Sequence, residues 1–330
     1  MLRDQVLALL RQGEKPISGE EMSRELGVSR AAVWKVMRGL RGEGYVISAA
    51  PNRGYHLESS PDLLSAGELA GGLEGCTLGR ELVCLSTIDS TNTEVKRRAV
   101  AGAPEGLVIL SDEQTGGRGR WSRTFVSPAG KGIYCSVLLR PRVDVEEACR
   151  FTPWVGVAVC DAIEAVCGVR PGIKWTNDIV LGNKKLGGIL CELAVEESGQ
   201  ADYVVIGVGL NVTQTEADFG PEVAPIATSL AQQLDHVPRR AELTCALLRA
   251  LDRWYARFPQ DRAACLEQYR RDCVTLGREV CIQRSGETIR AVAEDVNENF
   301  ELVIRRPGAD HAETVGGGEV SVRGLFGYLD

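Results

Sequence analysis

The sequence is poor in histidine. Its 330 residues contain only His56, His236 and His311, and these lie far apart along the chain. A histidine-centred metal site needs several such side chains at set spacings, and a Ser/His/Asp triad needs one beside its nucleophile. We therefore expect neither kind of site, and no tightly bound metal.

Segments that would carry the chain into or across a membrane are also missing. The first residues, 1–5, contain no apolar signal core, and no apolar run approaches the length of a membrane-spanning helix. The 11 cysteines are never spaced Cys-x-x-Cys, and several lie in apolar runs, such as Cys135, Cys160 and Cys191. Buried reduced thiols are typical of the cytosol, so we expect a cytoplasmic protein without membrane contacts.

Positive charge is in deficit. The formal net charge is −7, while 44% hydrophobic and 25% charged residues are ordinary for a globular protein. The molecule as a whole is therefore not a polyanion binder, and any surface for nucleic acid must be local. The length is typical of two or three domains.

Against this background, the ten residues 114–123 are conspicuously rich in glycine and arginine. They contain three of each in Gln-Thr-Gly-Gly-Arg-Gly-Arg-Trp-Ser-Arg. Glycines let backbone amides approach a ligand closely, and arginines donate hydrogen bonds to phosphate or carboxylate. This composition favours a loop that orders around an anion. A basic surface loop without a ligand is the alternative on composition alone.

Two further motifs follow about fifty residues later. Residues 174–178 read Lys-Trp-Thr-Asn-Asp, and residues 184–190 read Lys-Lys-Leu-Gly-Gly-Ile-Leu. In this order and spacing the three motifs resemble those of the biotin protein ligases, in particular the bifunctional members that also repress the biotin operon. The family pattern is Gly-Arg-Gly-Arg-x-Gly-Arg-x-Trp, Lys-Trp-Pro-Asn-Asp and Lys-Leu-x-Gly-Ile. This chain departs from it at Ser122 for glycine, Phe125 for tryptophan and Thr176 for proline.

The N-terminal residues 1–60 are typical of a winged helix-turn-helix domain. Ser18 begins a capping box for a second helix, Gly27 ends that helix, and Ser29 is placed to cap a third. Residues 29–41 contain four basic and no acidic residues, which favours DNA binding, although a solvated basic face is the simpler alternative. A hairpin over residues 45–57 would form the wing. The candidate DNA-binding residues are Ser29, Arg30, Lys35, Arg38 and Arg53.

The remainder predicts an α+β fold. Apolar runs near 107–110, 132–139, 179–181, 186–193 and 204–210 indicate strands joined largely as hairpins, with Gly182 and Asn183 as the turn of one hairpin. Residues 151–166 have a helical period. The resemblance implies a class II synthetase-like mixed sheet with helices over residues 63–274. Short strands separated by turns predict a β-rich domain over residues 275–330, which is SH3-like by resemblance.

The resemblance also implies the site residues. It places biotin beside Ser90, Thr91, Asn92, Gln114, Gly117, Arg118, Gly119, Arg120, Lys185 and Gly188. It places the nucleotide beside Arg120, Arg123, Phe125, Asn177, Asp178, Asn211 and Arg323. Lys185, Arg118 and Arg120 would be catalytic, whereas strand alternation turns Lys184 to solvent. Local roles remain open: helix capping for residues 90–94, a strand-end pair of Lys174 with Asp178, and a plain glycine linker at 316–318.

By resemblance, the reaction is ATP-dependent formation of biotinyl-5′-AMP, followed by transfer of biotin to a lysine of the biotin carboxyl carrier protein of acetyl-CoA carboxylase. Mg²⁺ would accompany ATP, with Asn177 and Asp178 as candidate contacts. The resemblance also implies operator DNA as a partner, and a homodimer when the adenylate is bound. The alternatives are a regulator that only senses biotin, a ligase whose N-terminal domain does not repress, and a lipoate-type ligase.

Overall fold

The structure is a computed structural model that describes residues 2–12, 15–50, 54–284, 287–317, 320–324 and 328–329. Its chain divides into two compact units. The first contains Met1–Gly75 and Arg239–Cys245, and the second contains Cys76–Pro238 and Ala246–Asp330. The domain limits expected from the sequence, 1–60, 63–274 and 275–330, stay predictions. None of the helices in the described ranges is long and apolar enough to cross a membrane.

The described part of the first unit begins with three helices followed by a hairpin, the order of a winged helix-turn-helix, and a short fourth helix follows. Val6, Met22, Met37 and Leu40 are buried in its core. The elements are α1 (Leu2–Gln12), α2 (Gly19–Leu26), α3 (Arg30–Gly42), β1 (Val46–Ala50), β2 (Gly54–Ser59) and the short α4 (Ala66–Leu69). Strands β1 and β2 are antiparallel.

Local capping defines the helix-turn-helix. The Ser18 hydroxyl accepts a hydrogen bond from the Glu21 amide at 3.1 Å, and Ser29 accepts one from Ala32 at 3.2 Å. Gly27 has a φ of 66°, the left-handed geometry that ends a helix without a steric penalty for glycine. These three boundaries confirm the predictions from the sequence.

The second unit is built on a seven-stranded mixed sheet with the order β3-β4-β5-β9-β8-β7-β6. Only β3 and β4 are parallel; the other neighbours are antiparallel. This confirms the mixed sheet expected from the hairpin-like runs. The strands are β3 (Glu81–Ile88), β4 (Leu107–Gln114), β5 (Gly132–Leu139), β6 (Gly172–Lys174), β7 (Asp178–Leu181), β8 (Lys184–Val195) and β9 (Ala201–Asn211).

Helices lie between and after these strands. Helix α7 has 11 buried residues among its 17, so it is a core helix rather than a surface one. The helices are α5 (Thr91–Val100), α6 (Val145–Ala148), α7 (Phe151–Cys167), α8 (Glu216–Phe219), α9 (Leu230–Gln233), α10 (Arg240–Tyr255) and α11 (Arg262–Asp272).

The turn between β7 and β8 places Lys185 near Asp178. Gly182 and Asn183 both have positive φ, 57° and 60°, as a two-residue hairpin turn of the primed type requires. The predicted hairpin is thus confirmed, and its short turn brings the start of β8 back alongside β7.

The C-terminal strands form a five-stranded antiparallel sheet with the order β13-β12-β11-β10-β14. The short strand β13 was not expected from the sequence. Among the described residues β13 and β14 lie at opposite edges, so the sheet is established and the SH3-like barrel is not confirmed. The strands are β10 (Glu279–Arg284), β11 (Glu287–Val296), β12 (Leu302–Arg305), β13 (Glu313–Val315) and β14 (Val320–Gly324).

Candidate functional site

A cavity of about 470 Å³ opens in the second unit where the glycine/arginine loop covers the mixed sheet. Small ligands bind in concave, largely apolar pockets with a few polar groups, and this cavity has that character. Of the residues expected to bind biotin, all but Gly117 line it: Ser90, Thr91, Asn92, Gln114, Arg118, Gly119, Arg120, Lys185 and Gly188. Of those expected to bind the nucleotide, it is lined by Arg120, Arg123, Phe125, Asn177, Asp178 and Asn211.

Two glycines of β9 make room on the cavity floor. A Cβ at Gly209 would lie 2.6 Å from Cε1 of Phe125, and a Cβ at Gly207 would collide with the Asn92 amide oxygen. The Gly-x-Gly of this strand therefore lets two neighbouring side chains pack against bare backbone. That close approach is the role of the two glycines here.

One end of the cavity is a buried polar network around Thr91. Its amide and hydroxyl both donate to Gln114 Oε1, at 2.9 and 3.1 Å. The Ser136 hydroxyl lies 2.7 Å from Thr91 Oγ1 and 2.6 Å from Asn92 Oδ1. Ser90, at the N-cap position of α5, makes no side-chain capping bond. Side-chain capping of α5 by Ser90 is therefore not observed, and Thr91 and Asn92 join the polar network instead.

Cys135 also lines the cavity beside this network. Burial raises the pKa of its thiol to about 12. A thiol that stays protonated is a poor nucleophile, so Cys135 contributes shape to the cavity and no covalent chemistry.

The glycine/arginine loop folds back on itself as a narrow hairpin. The Phe125 amide donates to the Gly117 carbonyl oxygen at 2.9 Å, and the Gly119 amide donates to that of Arg123 at 2.7 Å. Gly117 is buried behind the loop: a Cβ there would lie 2.7 Å from Ser127 Oγ and still closer to the Phe125 oxygen. Gly117, expected to contact biotin, is therefore placed outside the cavity lining with a structural role.

Arg120 is the arginine of this loop that is held in place. Its Nη1 donates to Thr176 Oγ1 and Asn177 Oδ1, both at 3.1 Å, and its Nη2 donates to the Gly317 carbonyl oxygen. Burial lowers the pKa of the Arg120 guanidinium. Arg118 and Arg123, by contrast, are exposed at the cavity mouth.

Lys185 also lines the cavity and belongs to a group of linked polar and charged side chains. Its Nζ is 2.5 Å from Asp178 Oδ1, and the Tyr328 hydroxyl donates to Asp178 Oδ2 at 2.5 Å. Burial works to raise the pKa of Asp178, but Lys185, Tyr328 and Lys174 outweigh it and hold that pKa below its usual range. Asp178 pairs with Lys185, and Lys174 lies opposite it in the register of β6 and β7, so the strand-end pairing of Lys174 with Asp178 stays a prediction.

Two other residues expected to contact the nucleotide, Asn211 and Asp178, already form hydrogen bonds within the protein. Asn211 donates to the Thr228 carbonyl oxygen at 2.9 Å and accepts from Gln214 at 3.3 Å. Both oxygens of Asp178 are occupied as described. Within the described ranges, no group of three or more His, Cys, Asp or Glu side chains is arranged to hold a metal ion. Arg323 lies on β14, but its side chain is outside the described residues.

Several lining or supporting residues were not singled out from the sequence, among them Ser136, Gly207, Trp121 and Tyr328. Ser136 and Gly207 lie inside apolar strands, where a lone small residue gives no signal. Trp121 lines the cavity mouth with 56% of its surface exposed. Tyr328 lies near the end of the chain, outside every motif.

The third helix of the first unit presents a basic face. Arg30, Lys35 and Arg38 are exposed on α3, as expected for phosphate contacts. The Arg38 guanidinium lies 5.0 Å from the ring centroid of Trp34, which is 54% exposed. The Ser29 hydroxyl is engaged in capping α3, and Arg53 at the predicted wing tip is outside the described residues.

Comparison with known proteins agrees with both units. Residues 84–211 match the model of the biotin/lipoate A/B protein ligase family, and residues 3–56 match a helix-turn-helix domain. The bifunctional ligase/repressor BirA of Bacillus spizizenii is 40% identical over 77% of this chain and 78% of its own length. This chain belongs to the biotin protein ligase family.

More distant members support the same assignment. The biotin–[acetyl-CoA-carboxylase] ligase of Mycobacterium tuberculosis is 32% identical over 68% of this chain and 83% of its own length. A structure of the biotin protein ligase from Aquifex aeolicus, in complex with biotin and ATP, superposes with a TM-score of 0.63. It is 25% identical and covers 74% of this chain and 99% of its own.

The departures from the ligase pattern have structural consequences. Ser122 has a φ of 56°, a region that glycine enters freely and other residues enter at a cost. The Phe125 ring packs on Gly209 and meets the Tyr134 ring edge-on at 6.4 Å between centroids. The Thr176 hydroxyl accepts a hydrogen bond from Arg120, and proline has no hydroxyl to accept one.

Proposed function

We propose that this ligase activates biotin with ATP and transfers it to a lysine of the biotin carboxyl carrier protein of acetyl-CoA carboxylase. The observation that carries the proposal is that four cationic side chains line one cavity. They are Lys185 and three arginines of the glycine/arginine loop, Arg118, Arg120 and Arg123. Developing negative charge on phosphoryl and carboxylate oxygens needs fixed positive groups, and these four supply it.

In the first step the biotin carboxylate oxygen bonds to the α-phosphorus of ATP, and the α–β phosphoanhydride bond breaks with release of pyrophosphate. Lys185, oriented by Asp178, is placed to stabilise the oxygens on which charge grows. Arg120 is held by Thr176, Asn177 and Gly317. The Thr91 network would bind the polar part of biotin.

In the second step the amine of the acceptor lysine attacks the carbonyl carbon of the biotinyl adenylate. An amide bond forms, AMP leaves, and the amine loses a proton. Because the anhydride is also open to water, the loop over the cavity would protect it by closing.

Mg²⁺ fits this scheme only through the nucleotide. Asp178 has both oxygens engaged by Lys185 and Tyr328, so it is a poor donor for the metal in this arrangement. We assign Mg²⁺ to the phosphates of ATP, which it prefers together with water, and route no step through it.

The decisive experiment supplies purified protein with ATP and one acid at a time. We expect pyrophosphate release and a biotinyl-adenylate mass with biotin, and no comparable release with lipoate. Biotinylation of a carboxyl carrier protein should follow on mixing. Release with lipoate in place of biotin would assign the cavity to a lipoate-type ligase, and release with neither would leave a protein that only senses biotin.

The helix-turn-helix unit supports a second role, repression of biotin genes. Arg30, Lys35 and Arg38 form an uncompensated basic face in a protein of net charge −7, as expected for phosphate contacts. We propose that a homodimer loaded with adenylate binds operator DNA in the cytoplasm. A ligase with a non-repressing N-terminal unit would show no specific operator binding in a titration with adenylate present.

A further inference from the structure

Tyr328 connects the C-terminal end of the second unit to the catalytic lysine. Its hydroxyl donates to Asp178 Oδ2 at 2.5 Å, and Asp178 Oδ1 receives Lys185 Nζ at the same distance. We propose that Tyr328 is a positioning residue for Lys185, acting through Asp178. The proposal rests on the ligase function proposed above.

Asp178 links Tyr328 to Lys185. It is the first residue of β7, and its side chain is only 20% exposed. A mostly buried carboxylate needs partners on both oxygens, because an oxygen left without a partner is destabilising. Lys185 satisfies one oxygen, and Tyr328 satisfies the other. Together they leave the carboxylate a single well-paired orientation.

Tyr328 is itself fixed, which allows it to fix another group. Its carbonyl oxygen accepts from Lys174 Nζ at 2.6 Å, and that ammonium also lies 3.6 Å from the centroid of the Tyr328 ring. The next residue, Leu329, is buried. Burial, together with Asp178, raises the pKa of the phenol well above its usual value, so it remains a donor at working pH.

The consequence falls on Lys185. A lysine side chain is long and flexible, and charged groups must be held within about 0.5 Å of the productive geometry to be effective. Lys185 is 29% exposed and has Asp178 as its ion-pair partner. Without the Tyr328 hydroxyl, Asp178 is free to rotate toward water or Lys174, and Lys185 would follow it. The Thr91 network, which would bind the polar part of biotin, is unchanged, so the loss should appear in kcat more than in biotin affinity.

The test compares Tyr328→Phe with a matched control, Tyr255→Phe. Tyr255 also donates to a carboxylate, Glu105 Oε2, at 2.5 Å, but neither residue lines the cavity. Both substitutions remove one phenol–carboxylate hydrogen bond and keep the ring. We expect Tyr328→Phe to lower kcat for pyrophosphate release by about tenfold or more, as loss of a hydrogen bond to a charged group implies. Biotin Kd should stay within about twofold, and Tyr255→Phe should keep wild-type kcat.

A double-mutant cycle tests whether Tyr328 acts through Asp178. If it does, Tyr328→Phe should add little to the loss already caused by Asp178→Asn, since the two act as one unit. Full additivity, a wild-type kcat in Tyr328→Phe, or an equal loss in Tyr255→Phe would each overturn the inference while the ligase function stands. A wild-type protein that releases no pyrophosphate would overturn the ligase proposal and this inference with it.

Discussion

Gly117 and Phe125 are joined across the glycine/arginine loop by a hydrogen bond of 2.9 Å from the Phe125 amide to the Gly117 carbonyl oxygen. The same loop carries Phe125 onto the bare backbone of Gly209. The position of the aromatic wall of the cavity therefore depends on how closely the two sides of this loop approach.

Gly117→Ala should damage the loop hairpin more than Gly119→Ala does. A Cβ at 117 meets backbone at Phe125, and forcing in a methyl group typically costs about 1–3 kcal/mol. At 119 the nearest atom to a new Cβ is the Arg123 oxygen at 3.6 Å, an ordinary contact. Pyrophosphate release with biotin and ATP is the measurement. Equal activity in the two variants would mean that the loop hairpin does not shape the cavity.

Lys185→Ala should abolish adenylate formation, whereas Lys184→Ala should have little effect. Lys185 lines the cavity and pairs with Asp178, and Lys184 is absent from the lining. Loss of one preorganised charged donor typically lowers the rate by about 10²–10³. Pyrophosphate release is measured for both variants, and a similar loss in both would contradict the assignment of Lys185.

Trypsin should cut the loop after Arg118 and Arg123 before it cuts after Arg120. The first two are exposed, and Arg120 is held by three acceptors. Biotin plus ATP should slow the cleavage, because closure over the adenylate orders the loop. Mass spectrometry of timed digests gives the order of cuts.

Removing the Arg118 side chain should speed leakage of biotinyl-adenylate, since one phosphoryl contact is lost. In the trypsin digests, cleavage of the loop that is equally fast with and without biotin plus ATP would count against loop closure.

Lys35→Ala should weaken DNA binding without changing ligation. A lysine that contacts phosphate contributes to affinity through counterion release. The slope of log affinity against log salt concentration should therefore fall in magnitude by about one. Operator titrations at several salt concentrations measure this, with pyrophosphate release as the control. An unchanged complex would leave Lys35 as part of a solvated face.

Operator binding should be tighter with biotin plus ATP than with either alone. A single small unit holds DNA weakly, and a dimer can span two half-sites. Ligand can strengthen DNA binding only if it favours the assembled state. Sedimentation with and without both ligands would show the dimer, and ligand-independent affinity would contradict this linkage.

Asp218→Asn should lower stability at neutral pH and have less effect in acid. Lys131 Nζ donates to both Asp218 oxygens at 2.6 Å, and with the Thr215 amide and hydroxyl it lowers the Asp218 pKa to about 2. A lowered carboxyl pKa stabilises the fold above the unfolded pKa, about 4, and that contribution is lost as pH falls toward 2. Urea unfolding from pH 7 to pH 2.5 should show the difference between wild type and variant shrinking in that window; a constant difference would contradict it.

Much of the first unit could be predicted because its signals are local. The Ser18 and Ser29 caps act within three residues, and Gly27 acts on its own backbone. The β7–β8 hairpin follows from Gly182 and Asn183 in the same way. Such features depend on short-range sterics and hydrogen bonds, which do not need the rest of the fold.

Part of the pocket lining was predictable for a different reason. The three motifs carry just under half of the residues that line the cavity, and the fold brings them together there. Single residues were less secure. Gly117 lies behind the loop, and Thr91 belongs to a buried network with Gln114.

Only the tertiary structure decided which distant groups meet. Tyr328 contacts Asp178 across 150 positions, and Gly317 accepts from Arg120 across 197. Positions 207 and 209 have no room for a Cβ, because the side chains of Asn92 and Phe125 pack against their backbone. The sequence determined the caps, the turns and the motifs, since these depend on near neighbours. The orientation of Lys185 depends on side chains brought together by packing, so it was settled only when the chain was folded.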